Sequence, residues 1–187
     1  GTTKISKNAF NEEVDFLGAN VRFGSNGASA STLSKYSGRV LELMADGALN
    51  PNFTQEEFDK EKTKLTEGLK ANEKSVSAVA RRVVDVLTYG KNHPSGEYLS
   101  EETLKNVTLE DVKLNYNTYF VPSNAYLIIV GDVKFKETKK MVEKFFGSWK
   151  KATAPSVSYN DPKDVAQTQI NFIDMPNAVQ SEIAVVN

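Results

Sequence analysis

The chain has no cysteine and, among its 187 residues, a single histidine, His93. Without cysteine there is no disulfide, no thiol nucleophile and no thiolate metal site, and nothing marks the compartment. With one histidine, neither H-x-x-E-H nor H-E-x-x-H can be written anywhere in the chain. A self-contained zinc hydrolase site of either kind is therefore excluded. An excess of charge of one sign is also missing. The 23 basic and 24 acidic residues nearly cancel, which removes the electrostatic case for nucleic acid or an anionic membrane as partner. No apolar run approaches membrane-spanning length, and no signal-peptide pattern opens the chain. The opening GTTKIS has no Met and leads straight into a helix, which reads as an internal start. Ser29, Ser31 and Ser34 lack a G-x-S-x-G setting, and Gly24-Ser25-Asn26-Gly27 is no phosphate loop because no lysine and helix start follow it. His93, alone in a His-Pro turn, reads as a loop residue.

What is present is enough to form a core: 40% of the residues are apolar and 10% aromatic. The stretch 119–149 carries the strongest pattern. Ala125–Val130 is a nearly all-apolar run, too short for a helix and rich in β-branched residues, and it predicts a strand covered on both faces. Met141, Val142, Phe145 and Phe146 then share one helical face, predicting an amphipathic helix that lies on the sheet containing that strand.

Earlier in the chain, Ser6 is placed to cap a helix carrying Phe10, Val14 and Leu17, which Gly18 ends. Asn26-Gly27 predicts a type I′ turn joining strands at 20–25 and 28–34. The second of these is small and hydroxyl-rich, which reads either as a polar edge strand or as a strand smooth enough for an extended peptide to pair beside it. A helix carrying Val40, Leu41, Leu43, Met44 and Ala48 follows and ends at Asn50-Pro51. The box Thr54-Gln55-Glu56-Glu57 opens a long charged helix with a thin seam of Phe58, Leu65 and Leu69. Lys60, Glu61, Lys62, Lys64 and Glu67 read as its solvated face. Helix-dipole stabilisation accounts for most of the carboxylate pairs Glu12/Glu13, Glu56/Glu57 and Glu101/Glu102. A helix over 76–87, a loop over 89–99, caps at Ser100 and Thr108, and a helix with Val112, Tyr116 and Tyr119 complete this part. Residues 150–166 read as a linker, and Thr168–Ile173 and Glu182–Val186 as two strands divided by Met175-Pro176-Asn177.

Four pieces in this order, GTTKISKNAFNEEVDFLGANV, VLELMADGALNPNFTQEEFDKEKTKL, YGKNHPSGE and TLEDVKLNYNTYFVPSNAYLIIVGDV, resemble the insulinase/pitrilysin family of zinc metallopeptidases, which includes mitochondrial processing peptidase. The resemblance spans most of residues 1–149. It implies an α+β fold, a mostly antiparallel sheet with helices packed on one side, forming a partial half over 1–149. After the linker at 150–166, residues 167–187 resemble the opening strands of a following half. In catalytic relatives the H-x-x-E-H motif would lie upstream of Gly1. The third metal ligand, laid without gaps from Phe58, falls on Gly68, with Glu67 one residue away, or about 100° around the helix. The resemblance thus implies zinc for the family but no cofactor and no metal ligand in this chain, and no catalytic residue. It implies a scaffold or peptide-holding half with a peptide or protein substrate as partner, alongside a catalytic half or subunit. The peptide-facing residues are then Asn26, Gly27, Ala28, Ser29 and Ala30. The other reading is a non-enzymatic assembly subunit of the same fold, with no nucleic acid and no membrane among its partners.

Overall fold

The computed structural model describes residues 1–186. Its elements run α1 (Lys7–Phe16), β1 (Asn20–Gly24), β2 (Gly27–Ser31), α2 (Ser37–Leu49), α3 (Gln55–Asn72), α4 (Val76–Tyr89), α5 (Glu101–Asn106), α6 (Leu109–Tyr119) and α7 (Phe135–Phe146), with single 3-10 turns at Ser34–Tyr36 and Pro122–Asn124. The chain forms two compact units. Helices with one antiparallel strand pair make it an α+β fold, as expected.

The first unit joins Gly1–Thr54 to Glu110–Pro155. The Ser6 hydroxyl caps α1, accepting from the Ala9 N–H. Gly18, at φ +57°, closes the helix, with its own N–H donated to the Asp15 carbonyl and that of Ala19 to Val14. That is the Schellman pattern, and the left-handed backbone is why glycine stands there. Phe10, Val14 and Leu17 then meet Val40 and Leu43 of α2 in one buried cluster, with Val21 of β1 packed against it. Phe23 sits 6.0 Å from the Phe10 ring, centroid to centroid, and lies over Gly47, where any Cβ would collide with its ring. The carboxylate of Glu13 takes two hydrogen bonds from Arg39, tying α1 to α2, so this acid serves a tertiary contact and not a helix dipole. On another side of α2 lies α7. The Tyr116 hydroxyl of α6 donates to the Ala48 carbonyl at 2.6 Å across 68 residues of sequence.

The second unit joins Gln55–Leu109 to the residues from Ser156 on. Ser75 caps α4 through the Ala78 N–H, and Ser100 and Thr103 form a capping box on α5. Helix α3 buries no side chain. One lysine departs from the expected solvated face: Lys62 Nζ donates to the carbonyls of Lys105 at 3.0 Å and Val107 at 2.7 Å, at the C-terminal end of α5.

The expected two-sided cover of one strand fails, and with it the expected seat of α7. Ala125–Val130 is extended but has no ladder partner among the described residues, and it is not covered on both faces. Tyr126, Ile128 and Val130 are 97%, 81% and 90% exposed, whereas Leu127 and Ile129 are 42% and 37% exposed. Its period of two is that of a strand with one side half covered. Accordingly α7 packs on α2 and not on a sheet. Thr168–Ile173 and Glu182–Val186, expected as the opening strands of a following half, run without ladder bonds among the described residues and are exposed. Between them the Ala178 N–H is donated to the Met175 carbonyl at 3.2 Å, with Asn177 at φ +68°. With Pro176 before it this is a type II turn, whose twist splays two arms instead of pairing them.

The chain leaves 14694 Å² accessible to solvent. A compact 20.6 kDa monomer exposes about 8,900 Å², and even two separate bodies of half that mass expose only about 10,700 Å² together. Much apolar surface therefore remains uncovered.

Candidate functional site

The hairpin carries the five sequence-derived site residues. Its register pairs Gly24 with Gly27, Phe23 with Ala28, Arg22 with Ser29, Val21 with Ala30 and Asn20 with Ser31. The two-residue turn is therefore Ser25-Asn26, one residue earlier than Asn-Gly predicts. Neither of its residues has positive φ, so it is not type I′. Gly27 instead takes the left-handed backbone, at φ +142°. Alternation puts Val21, Phe23, Ala28 and Ala30 on one side and Asn20, Arg22, Ser29 and Ser31 on the other. The first side faces α1 and α2 through Val21 and Phe23, and the second is hydroxyl-bearing and exposed. Asn26, Ser29 and Ala30 are exposed, Gly27 and Ala28 half-buried. The sheet has two strands among the described residues, so β2 has β1 on one edge and no ladder on the other. Unpaired backbone donors and acceptors on such an edge, with no bulky side chain on the strand, can take an extended peptide as a third strand.

A zinc ion does not fit the side chains present. His93 is stacked on Tyr89 at 5.3 Å between centroids and contacts Tyr159 at 5.6 Å, while its Nδ1 accepts from the Ser95 N–H at 3.1 Å. That ring organises its loop. Gly96 beneath it approaches the Gly90 carbonyl so closely that a side chain there would clash. Glu67 is exposed on α3, and Gly68, the position the gapless family register selects, has nothing within 4 Å of a built Cβ. Among the described residues no three His, Cys, Asp or Glu side chains converge as metal ligands would.

The first unit also holds a cleft of about 850 Å³ lined by Leu43, Asp46, Tyr116, Phe120, Phe145 and Trp149, among others. Its aromatic wall is a run of ring contacts, Tyr116 to Phe120 and Phe120 to Trp149, at 5.1 and 5.2 Å, and Phe53 packs edge-on against Tyr116 at 5.3 Å. Burial pushes the Tyr116 phenol up. Burial would also raise the Asp46 carboxyl, but the Thr2 hydroxyl, the Asn50 amide and Lys4 outweigh it and hold Asp46 below its ordinary value. These groups anchor the N-terminal segment on α2: the Thr2 hydroxyl accepts from the N–H groups of Lys4 and Ile5, and Lys4 meets Asp46 at 3.4 Å. Sequence reasoning missed this anchor. Its only signal was a threonine followed by a turn.

Comparison with known proteins places these features. The family model described as the Peptidase M16 inactive domain matches residues 106–186. The uncharacterized zinc protease YmxG of Bacillus subtilis is 27% identical over 155 residues, 80% of this chain and 37% of that protein. The probable mitochondrial-processing peptidase subunit beta of Arabidopsis thaliana is 22% identical over 184 residues, 93% of this chain and 34% of that protein. Among solved structures, a peptidase M16 inactive domain from Pseudomonas fluorescens superposes with a TM-score of 0.75 at 19% identity, covering 87% of this chain and 41% of that one. A protease from Helicobacter pylori gives 0.72 at 20% identity, covering 85% and 40%. The chain spans about a third of the length of the curated relatives it matches. No helix of the described residues is long and apolar enough to cross a membrane. Over residues 106–186 the sequence matches the Peptidase M16 inactive domain, and the chain as a whole is similar in sequence and fold to part of insulinase-type, or M16, peptidases.

Proposed function

We propose that this chain is the scaffold or peptide-holding part of an insulinase-type zinc peptidase or of its inactive homologue, and is not catalytic alone. Residues 1–149 form a partial half, 150–166 its linker, and 167–187 the opening strands of a following half. The peptide-facing element is the hairpin tip and the free edge of β2, with Asn26, Gly27, Ala28, Ser29 and Ala30. The observation that carries this reading is the unladdered edge of a strand of glycine, alanine and serine. Main-chain hydrogen bonds would supply affinity there, and the small side chains would leave room for the bound residues. Calorimetry with an extended apolar peptide tests it. Binding should vanish when alternate peptide nitrogens are methylated, because a methylated nitrogen cannot donate to the edge. Equal binding of both peptides would refute an added strand.

A second reading is a non-enzymatic assembly subunit of the same fold; the names of two relatives, subunits of mitochondrial-processing peptidase, support its assembly with another chain. An H-x-x-E-H motif immediately upstream of Gly1 in the full-length protein would favour the peptidase, and its absence the assembly subunit. In either reading the partners are peptides or proteins, and neither nucleic acid nor membrane.

A further inference from the structure

We propose that Asn26 is a site of spontaneous modification: the backbone nitrogen of Gly27 displaces ammonia from the Asn26 side chain, converting the hairpin tip to aspartate and isoaspartate. Asparagine amides are chemically labile, and access to the backbone nitrogen that follows decides which of them react. Asn26-Gly27 is the only Asn-Gly pair in the chain. Glycine has no side chain to shield its nitrogen, and a Cβ built on Gly27 would have nothing within 4 Å. Asn26 is exposed, and its amide has no hydrogen-bond partner among the described residues. Other asparagines are held or screened. The Asn50 amide donates to Asp46 at 2.9 Å and precedes Pro51, which has no N–H. Asn124 donates to the Tyr119 carbonyl at 3.2 Å, and Asn20 and Asn106 precede valines.

The attacking nitrogen belongs to the pair that closes the turn. Gly24 and Gly27 are the last rung of the ladder, and two glycines bring no cross-strand side-chain contact to hold it. Fraying of that rung frees the nitrogen. The next pair, Phe23 with Ala28, is fixed by the Phe23 ring on Phe10 and Gly47. Once free, the Gly27 nitrogen gives its proton to water or hydroxide and bonds to Asn26 Cγ. The bond from Cγ to the amide nitrogen breaks, and that nitrogen takes a proton from water and leaves as ammonia. Water then opens the cyclic imide. Opening at Cγ gives aspartate, and opening at the main-chain carbonyl gives isoaspartate, whose chain runs through Cβ and is one atom longer. Either product adds a negative charge, and the extra atom moves Gly24 out of line with Gly27. The modification stands whether or not the hairpin holds peptide.

Trypsin makes the test direct. Cleavage after Arg22 and Lys35 releases residues 23–35, whose one amide side chain is Asn26. Cleavage after Lys105 and Lys113 releases residues 106–113, in which Asn106 stands alone, as an internal control. The whole chain is aged at mildly alkaline pH, digested and weighed by mass spectrometry. Fragment 23–35 should gain a unit of mass about tenfold faster than fragment 106–113, a barrier lower by about 1.4 kcal/mol. The product should separate into aspartate and isoaspartate forms, the second accepting a methyl group from S-adenosylmethionine when isoaspartyl methyltransferase is added. In Asn26→Gln the ring would need a sixth member, and the gain should vanish. The folded chain should also convert within about tenfold of a free synthetic peptide of the same residues. A folded chain that stays unconverted while the free peptide converts would overturn the proposal. So would equal rates at Asn26 and Asn106, or aspartate formed without isoaspartate.

Discussion

Removing the ammonium of Lys62 is the sharpest perturbation of the second unit, because the residue looks expendable in the sequence. Its Nζ spans two carbonyls, 3.0 Å from Lys105 and 2.7 Å from Val107. Both lie at the end of α5, a helix of six residues whose last carbonyls lack partners of their own. Hydrogen bonds from a charged donor are worth about 1.5–3 kcal/mol when buried. Lys62 is half-buried, so water replaces part of the loss, and about 1–2 kcal/mol remains. Lys62→Met keeps the aliphatic stem and removes only the donor. Lys64→Ala is the control: that lysine pairs with Glu61 alone on an exposed face and should stay within about 0.5 kcal/mol of neutral. Ile129→Ala is instructive beside them. A fully buried isoleucine would cost about 2–5 kcal/mol, but at 37% exposure roughly 1–2 kcal/mol is expected, comparable with Lys62→Met. Two units need not unfold in one transition, so urea melts should be read with hydrogen exchange at Leu104 and Val107. Unchanged exchange there, with Lys62→Met as stable as Lys64→Ala, would refute the reasoning.

Arg39→Gln should loosen α1 from α2 and flatten the acid limb of stability. Hydrogen bonds from Arg39 hold the Glu13 carboxyl below its ordinary value, against some desolvation, so its contribution is present above the unfolded carboxyl range and lost as pH falls through the folded value. Acid titration followed by circular dichroism checks this, and an unchanged acid limb in the variant would contradict it. Gly68→Ala in open space on α3 should stabilise by about 0.8–1 kcal/mol, whereas Gly47→Ala should destabilise by roughly 1–3 kcal/mol because Phe23 must move; thermal melts that shift the same way would deny the Phe23 packing. Finally, the dialysed chain should carry zinc far below stoichiometry by elemental analysis. Near-stoichiometric zinc lost in His93→Ala or Glu67→Ala would overturn the account of those residues.

Helices and their ends were legible because their determinants are local: Ser6, Gly18 and the box at Ser100 act within a few residues. The hairpin was legible too, but not the residue on which it turns. The left-handed backbone is taken by Gly27 beside the strand pair, and Asn-Gly does not specify which of two neighbouring positions will use it. Contacts across the chain left no such trace. A helical wheel assigns Lys62 to a solvent face without seeing carbonyls 43 residues away, and Glu13 to a helix without seeing Arg39. Ala125–Val130 shows the same limit for a strand. Its composition records that the segment favours cover on both sides, but not whether the covering strands belong to this chain. Of the candidate site, the smooth strand was readable, whereas the freedom of its outer edge depends on which strands are absent beside it.

The hydrogen bond from Tyr116 to Ala48 also bears on how the chain assembles during synthesis. It joins parts of the first unit 68 residues apart, and the length-dependent part of closing such a loop costs about 3.7 kcal/mol. The helices between, α3 to α5, need only local closures and can form while the rest is still being made. On a ribosome, α1, the hairpin and α2 therefore emerge before α6 and α7, with the α6 and α7 sides of α2 still bare. They wait, as an open cluster of apolar residues, until Tyr116 and Trp149 have left the exit tunnel. The first unit is begun before the second and finished after its helices are made, and in that interval its apolar cluster is exposed to misassembly that a chaperone would prevent.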